Sequence, residues 1–281
     1  MLKITDRTPS FMELKSIIET TDRYNFHSHT QFCDGRAPMS LMAEEACRHG
    51  FLHWGFSPHS PVNIESSCNM TQESVPQYID EVKRLRDIYG DTMHIYASME
   101  IDYISPSWGP SSDMFQSYPL DYRIGSVHFV PTRDGEWIDC DGNFERFSNN
   151  MRLKFSGDIR YVVETFFAQS ISMVELGGFD IIGHLDKISH NASRYSPGIE
   201  DESWYIALTD QLINAISRRG LIAEVNTKAF PEYGRLFPSE RILQQLIKMN
   251  VPIVVNSDAH YPEKVDYGRK EALDIILNLS H

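Results

Sequence analysis

Seven short apolar runs rich in β-forming residues recur along this sequence, separated by longer stretches with the periodicity of helices. The runs end in "YNFHSH", "LHWGFSPH", "IYASMEIDY", "RIGSVHF", "FDIIGH", "LIAEVN" and "VPIVVNSDAH". Between them, "VPQYIDEVKRLRDIYG", "DESWYIALTDQLINAISRRG" and "PSERILQQLIKMN" space their apolar residues as amphipathic helices do. This alternation is typical of βα units around a parallel sheet, so we predict an α/β fold.

The length of 281 residues is compatible with an α/β barrel built as one unit. Pro, Gly and Ser are scattered rather than pooled into a linker, and no internal repeat or low-complexity segment interrupts the pattern. We therefore predict a single domain over residues 1–281.

Six of the seven runs carry His, Glu or Asp at or just beyond their C-terminal ends. These residues are His27, His29, His59, Glu100, His128, His184, Asp258 and His260, and Asp34 follows the first run closely. One H-x-H pair on a strand could simply be an exposed face, since alternate side chains share a face. In a closed βα barrel, however, all strand C-termini converge on one face, so we predict that these side chains are neighbours.

Histidines and carboxylates without thiolates suit Zn, Mn or Fe rather than a closed structural zinc site. At three or four protein ligands per metal, these side chains could hold two or three divalent ions, with one carboxylate bridging. The pattern predicts a multinuclear hydrolytic centre.

Charge and cysteine spacing exclude several other classes. The formal net charge of -13 argues against a sequence-independent nucleic-acid binder, which needs a basic surface. The four cysteines show no C-x-x-C spacing, so neither a zinc knuckle nor a disulfide framework is indicated, and a reducing cytoplasm is expected. The start, "MLKITDRTPSFMELK", has no apolar targeting core, and no apolar run approaches membrane-spanning length. We expect no membrane partner; the oligomeric state stays open.

The motifs "FHSHTQFCDG", "SPHS", "SMEIDY", "IGSVHF", "DIIGHLDK" and "VNSDAH" resemble the successive motifs of the polymerase-and-histidinol-phosphatase (PHP) family. Within it, "GSVHF", "FDIIGHLDKI", "EVNT" and "NSDAH" are most similar to the monofunctional histidinol-phosphate phosphatases of histidine biosynthesis. The resemblance implies the PHP fold, a distorted seven-stranded (β/α)7 TIM-like barrel with a trinuclear metal site. It also implies hydrolysis of L-histidinol phosphate to L-histidinol and phosphate.

The resemblance also implies a ligand set for each of three divalent ions, with Zn, Mn or Fe as candidates. One ion would be held by His27, His29, Glu100 and Asp258, a second by Glu100, His128 and His184, and a third by Asp34, His59 and His260. The carboxylates Asp34, Glu100 and Asp258 are thus the predicted catalytic groups. Three divalent ions, these carboxylates and a bridging hydroxide leave a net charge of roughly +2, which matches a phosphate monoester dianion. The proton donor for the leaving group stays open between Asp34 and a metal-bound water.

Three cationic side chains are predicted to bind the phosphate: Lys187, Arg194 and Arg160. The resemblance implies arginines from these regions, although each of the three could equally be a solvated surface charge. Lys228 and Asn226, at the end of the sixth run, are weaker candidates.

Two other functions remain open. Another PHP phosphoesterase, acting on a different small phosphomonoester, a nucleotide or phosphotyrosine, would share the same metal site. A non-catalytic metal-binding domain is the alternative of a different class, and complete ligand sets argue against it.

Overall fold

A computed structural model describes residues 11–280 of the chain. The strands are β1 (Tyr24–Asn25), β2 (His53–Phe56), β3 (His94–Ala97), β4 (Glu100–Asp102), β5 (Ile124–Ser126), β6 (Phe129–Pro131), β7 (Trp137–Asp139), β8 (Ile181–Ile182), β9 (Ile222–Asn226) and β10 (Ile253–Asn256). The helices are α1 (Phe11–Thr20), α2 (Met39–Arg48), α3 (Val75–Tyr89), α4 (Asp113–Ser117), α5 (Phe144–Lys154), α6 (Ile159–Leu176), α7 (Ser189–Tyr195), α8 (Ser203–Arg219), α9 (Phe230–Tyr233), α10 (Glu240–Lys248) and α11 (Arg269–Leu279).

The main strands form two parallel sheets, which confirms the predicted α/β fold. One sheet has the order β1-β2-β3 and the other the order β10-β9-β8-β5-β4. Isolated parallel bridges join Ser28 to Ala259 and His59 to Glu100, so residues just beyond β1 and β2 pair with the ends of the second sheet. Strands β6 and β7 form a separate antiparallel hairpin.

Two features of the strand pattern differ from the prediction. The run "IYASMEIDY" forms two strands, because β3 pairs with β2 and β4 pairs with β5. Ser98 and Met99 connect the two strands where the chain passes from one sheet to the other. The β6–β7 hairpin was not predicted. Its turn contains the pair Asp134–Gly135, with Gly135 at φ 93°, and an Asp-Gly pair is a hairpin signal in sequences.

Amphipathic helices cover the sheets. Helices α3, α8 and α10 lie where the apolar periodicity predicts them, and each buries its apolar stripe. The pair Phe166 and Phe167 of α6 is buried in the largest apolar cluster, with Tyr205 of α8 packed edge-on against Phe167. Among residues 11–280, no helix is long and apolar enough to cross a membrane.

Gly55 of β2 leaves the space that the side chain of the buried Tyr122 occupies. A Cβ at this position would lie 1.8 Å from the hydroxyl of Tyr122, which donates a hydrogen bond to the carbonyl of Phe26. We expect Gly55→Ala to lower the free energy of unfolding by about 1–3 kcal/mol, because the clash falls on a fully buried side chain. Urea unfolding checks this.

Gly142→Ala is the matched control for Gly55→Ala. Its added methyl group would meet only the flexible side chain of Arg146, at 3.3 Å, so little change in stability is expected. Equal unfolding midpoints for both variants would contradict the packing argument.

Candidate metal centre

The nine predicted ligands lie together, eight of them beyond the C-terminal ends of parallel strands and Glu100 at the start of β4. His27 and His29 follow β1, His59 follows β2, Glu100 begins β4, His128 follows β5, His184 follows β8, and Asp258 and His260 follow β10; Asp34 lies in the loop after β1. Six of them are buried and belong to the polar part of the interior, while Asp34, His59 and His260 are partly exposed. The strand ends thus converge, as the sequence pattern predicts.

Glu100 is at the middle of this cluster. Its Oε1 lies 2.8 Å from Nε2 of His184 and 3.5 Å from Nε2 of His128. Its Oε2 lies 3.3 Å from Nε2 of His27 and 3.1 Å from Nδ1 of His59. One carboxylate therefore faces imidazoles from four different strand ends, which is the position that a bridging ligand requires.

Asp258 forms a second group with the H-x-H pair. Its Oδ1 lies 3.0 Å from Nε2 of His29 and 3.9 Å from Nε2 of His27. Asp258 has φ 50°, a left-handed conformation that is uncommon for residues other than glycine and occurs often at functional sites. The amide of Asn226 donates to its Oδ2 at 3.1 Å and orients the carboxylate.

Asp34 forms a third group with histidines from three loops. Its Oδ1 lies 3.4 Å from Nδ1 of His29 and 3.8 Å from Nε2 of His59, and its Oδ2 lies 3.3 Å from Nε2 of His260. The thiol of Cys33 is also close, at 3.5 Å from Nδ1 of His29, although the sequence pattern pointed to a centre without sulfur.

The unpaired atoms of these groups fit divalent cations. Among residues 11–280, Oδ1 of Asp34, Nδ1 of His59 and Oδ1 of Asp258 are buried and make no hydrogen bond of good geometry, despite their short distances to neighbouring groups. Buried polar atoms are normally paired, so three such atoms in one cluster need an explanation. Three sets of acid and imidazole groups converge closely enough for each to hold an ion: His29, Asp34, His59 and His260; His27, His29 and Asp258; and His59, Glu100 and His128.

Two buried carboxylates behind the centre orient its histidines. Nδ1 of His27 donates to Glu224 at 2.7 Å, and Nδ1 of His128 donates to Asp102 at 2.7 Å. Each ring consequently turns its Nε2 toward Glu100, the arrangement in which a carboxylate supports a metal-binding histidine. Sequence reasoning missed both residues. The available signal was position, because Asp102 follows Glu100 by two residues in β4 and shares its strand face.

The protonation of the histidines follows from these neighbours. Burial lowers the pKa of His27, but the carboxylates of Glu224 and Glu100 outweigh it and raise the pKa to about 10. Burial lowers the pKa of His59 to about 3, and that of His260 to about 4, with the nearby His29 adding to both shifts. Without a metal, His59 and His260 are therefore neutral at pH 7, whereas His27 is protonated. Since a metal-binding imidazole must be neutral, metal binding at His27 would release its proton.

The three predicted phosphate-binding cations have different surroundings. Lys187 is buried, with its Nζ 3.4 Å from Oδ1 of Asp141 and 4.8 Å from the ring centre of Phe237. Arg194 lines a cavity of about 420 Å³ and stacks over the ring of Phe144.

Arg160 is not brought to the centre. Its side chain is 58% exposed, its Nε donates to Glu164 at 2.7 Å, and its guanidinium lies over the ring of Trp204. In the described part of the chain, its recorded contacts are thus with α6 and α8 and with no residue of the cluster. Its place near the start of α6 directs it along the helix surface, and its role in phosphate binding stays a prediction.

Lys228, a weaker candidate in the sequence, lies directly at the cluster. Its Nζ is 3.3 Å from Nε2 of His260 and 3.5 Å from Oδ1 of Asp258. Burial lowers its pKa, but Asp258 and Asp141 outweigh burial and raise it, so the side chain is an ammonium group at neutral pH. The tight turn after β9 places it there, and spacing alone could not show this.

The sequence of this chain is similar to those of a known domain family and of named relatives. The PHP domain family model matches residues 25–228. A histidinol-phosphatase of Bacillus subtilis is 26% identical over 266 residues, which cover 88% of this chain and 97% of the relative. A probable histidinol-phosphatase of Schizosaccharomyces pombe is 26% identical over 257 residues, covering 85% and 81% respectively.

Two solved structures share the fold. A Listeria monocytogenes protein assigned as the histidinol phosphatase hisK superposes with a TM-score of 0.79 at 18% identity, covering 88% of this chain and 99% of that one. The histidinol phosphate phosphatase of Lactococcus lactis, solved with zinc, L-histidinol and phosphate, gives a TM-score of 0.69 at 20% identity, covering 91% and 93%. Since the family match extends over most of the chain and includes seven of the nine clustered side chains and Glu224 behind them, this protein belongs to the PHP domain family.

Proposed function

We propose that this protein is a metal-dependent phosphomonoesterase that hydrolyses L-histidinol phosphate to L-histidinol and phosphate. The observation that carries the proposal is the continuous cluster of nine acid and imidazole side chains around Glu100, with three buried atoms that make no hydrogen bond of good geometry among residues 11–280. The two relatives named histidinol-phosphatase, each aligned over most of this chain, support the choice of substrate.

The proposed cofactor is a set of three divalent ions, with Zn, Mn and Fe as candidates. His27, His29, Glu100 and Asp258 would hold one ion, Glu100, His128 and His184 a second, and Asp34, His59 and His260 the third. The three converging groups share His29 and His59 and contain eight of these nine residues. The ninth, His184, has its Nε2 2.8 Å from Oε1 of Glu100, which supports its place in the same ligand set. Zinc in the Lactococcus lactis structure supports zinc among the candidates.

We propose that the chain carrying this centre folds as a closed, distorted seven-stranded βα barrel in one domain over residues 1–281. Counting β3 and β4 as one interrupted strand gives seven parallel strands. The bridges from Ser28 to Ala259 and from His59 to Glu100 support closure, because they link the two sheets at both junctions. The four cysteines are free, in keeping with the expected cytoplasmic location.

In the proposed mechanism, the bound ions would supply Lewis acidity toward the phosphoryl group and the attacking water. Glu100, Asp258 and Asp34 would hold these ions and offset their charge. Glu224 and Asp102 keep the imidazoles of His27 and His128 in one tautomer and orientation. No protein nucleophile is required, because phosphoryl transfer depends chiefly on positioning and charge.

Lys187 and Arg194 are the proposed phosphate-binding cations of this chain. Lys187 follows His184 by three residues, and its buried ammonium group pairs with Asp141, so it can reach an anion at the cluster. Arg194 lines the cavity of about 420 Å³ together with His190 and Tyr233.

Steady-state kinetics on a panel of phosphomonoesters tests the proposed function. The panel includes histidinol phosphate, a nucleoside monophosphate, a sugar phosphate and phosphotyrosine, with metal content measured on the same sample. We expect the highest kcat/KM for histidinol phosphate, more than one ion per chain, and loss of turnover on chelation with recovery when metal is restored.

Each other outcome of this panel identifies a different alternative. Preference for another monoester would replace the substrate and keep the metal centre. Full occupancy with a single ion would contradict the trinuclear assignment. Absence of turnover with every substrate at full metal occupancy would leave a non-catalytic metal-binding domain.

A further inference from the structure

We propose that Lys228 is a substrate-binding residue whose ammonium group holds a phosphoryl oxygen of the monoester. This inference rests on the proposed function and adds a third phosphate-binding group to Lys187 and Arg194.

The backbone fixes Lys228 beside the cluster. Lys228 lies two residues beyond β9, and its backbone N–H donates to Oδ1 of Asn226 at 3.1 Å. Its Nζ lies 3.3 Å from Nε2 of His260 and 3.5 Å from Oδ1 of Asp258. The side chain remains 38% exposed, so the ammonium group contacts the centre and is also open to solvent.

The open side of Lys228 faces a cavity. This cavity has a volume of about 170 Å³, and its walls include Lys228, Arg36, Asp34, Asp258, His260 and Tyr261. The space is far larger than the roughly 10–15 Å³ that one water molecule requires. An oxyanion can therefore approach the carboxylates and imidazoles of the centre from this side, with Lys228 at its edge.

Three cations line this cavity, Arg36, Lys228 and Lys264, and the Nζ of Lys228 lies within 3.5 Å of two proposed metal ligands, His260 and Asp258. Lys264 also lines the cavity, but its Nζ pairs with Glu232 at 3.0 Å. Asp258, the carboxylate nearest to Lys228, is itself a proposed metal ligand. A carboxylate that shares its charge with a divalent ion attracts a neighbouring lysine less, which leaves the ammonium group able to bind an external anion.

Phosphate monoesters offer more oxygens than one cation can bind. A lysine is a compact charge with three donors, and hydrogen bonds between ammonium groups and phosphate oxygens are among the stronger ones. Lys187 reaches the centre from the segment after β8, beside Asp141, whereas Lys228 reaches it from the segment after β9, beside Asp258. The two lysines can therefore bind different oxygens of one phosphoryl group.

Inhibition of the metal-loaded protein by inorganic phosphate tests this role. We expect Lys228→Met to raise the inhibition constant of phosphate, and KM for the preferred monoester, by about 10- to 100-fold. Metal content should equal that of the unaltered protein, and Lys228→Arg should retain part of the phosphate binding because it keeps the charge. Lys83→Met is the matched control, since Lys83 is 64% exposed on α3 and pairs with Asp80.

Two results would overturn the assignment of Lys228. One is an unchanged phosphate inhibition constant in Lys228→Met. The other is a fall in metal content that accounts for the lost activity, which would make Lys228 a support of Asp258 and His260 instead.

The proposed function can fail separately from this role. If the unaltered protein hydrolyses no monoester, calorimetric titration of the metal-loaded protein with inorganic phosphate still compares Lys228→Met with Lys83→Met. Weaker phosphate binding in Lys228→Met alone would uphold the role of Lys228, whereas equal binding in both variants would reject it.

Discussion

Replacing Glu100 by glutamine is expected to lower kcat by several orders of magnitude while the fold is retained. The carboxylate lies between four imidazoles from four strand ends, with Oε1 near His184 and Oε2 near His59 and His27. Glutamine keeps the size of the side chain but removes its charge and one acceptor oxygen, so two ions would lose their shared anionic ligand. Turnover of histidinol phosphate, metal content and circular dichroism on the same preparation check this.

A matched substitution elsewhere separates the role of Glu100 from a general loss of negative charge. Glu136→Gln removes the same charge from a carboxylate that is 50% exposed and pairs with Lys154, so its activity should be unchanged. Near-normal turnover of Glu100→Gln at saturating metal would contradict the central position assigned to this residue.

The second large effect is expected at Glu224, which touches no proposed substrate. Its Oε1 accepts hydrogen bonds from Nδ1 of His27 at 2.7 Å and from the amide of Asn256 at 2.9 Å. Its Oε2 accepts from the backbone N–H of His184 at 2.8 Å and from the amide of Asn226 at 3.1 Å. In Glu224→Gln, an amide NH2 group replaces one of the two carboxylate oxygens. This group faces two hydrogen-bond donors, and both donors lose their acceptor.

Two measurable consequences follow from the Glu224→Gln substitution. Orphaned buried donors cost about 1–3 kcal/mol each, so we expect the free energy of unfolding of the metal-free protein to fall by roughly 3 kcal/mol. Metal affinity should fall by about 10- to 100-fold, because His27 and the segment carrying His184 are no longer held in place. Chemical unfolding and metal titration measure the two effects separately.

Glu175→Gln is the control for Glu224→Gln, since Glu175 is 46% exposed and pairs with Arg218. High metal concentration should restore much of the activity of Glu224→Gln but not that of Glu100→Gln, because only Glu100 is a proposed ligand. Unchanged metal affinity and unchanged stability in Glu224→Gln would refute the orienting role.

Several parts of this centre could be predicted because they depend on local pattern. The alternation of β-rich runs and amphipathic helices indicates parallel sheets, and parallel strands place their C-terminal ends on one side. Residues as distant in sequence as His27 and Asp258 could therefore be expected to meet. In the fold, Nε2 of His27 lies 3.9 Å from Oδ1 of Asp258.

The side-chain surroundings could not be predicted in the same way. Arg160 and Lys228 both looked like possible phosphate-binding cations, and only the helix surface of α6 and the turn after β9 distinguish them. Glu224 and Asp102 were also missed, because a carboxylate inside a strand gives no sign of which histidine it faces.

The α/β architecture and the nine clustered side chains could be predicted from the amino-acid pattern, because strand and helix periodicity and residue type are local properties. The folded chain was needed to show which carboxylate lies between the histidines, which acids orient them from behind, and which lysine borders the cavity. Those relations depend on strand register and side-chain direction across pairs far apart in the chain, and no local pattern records them.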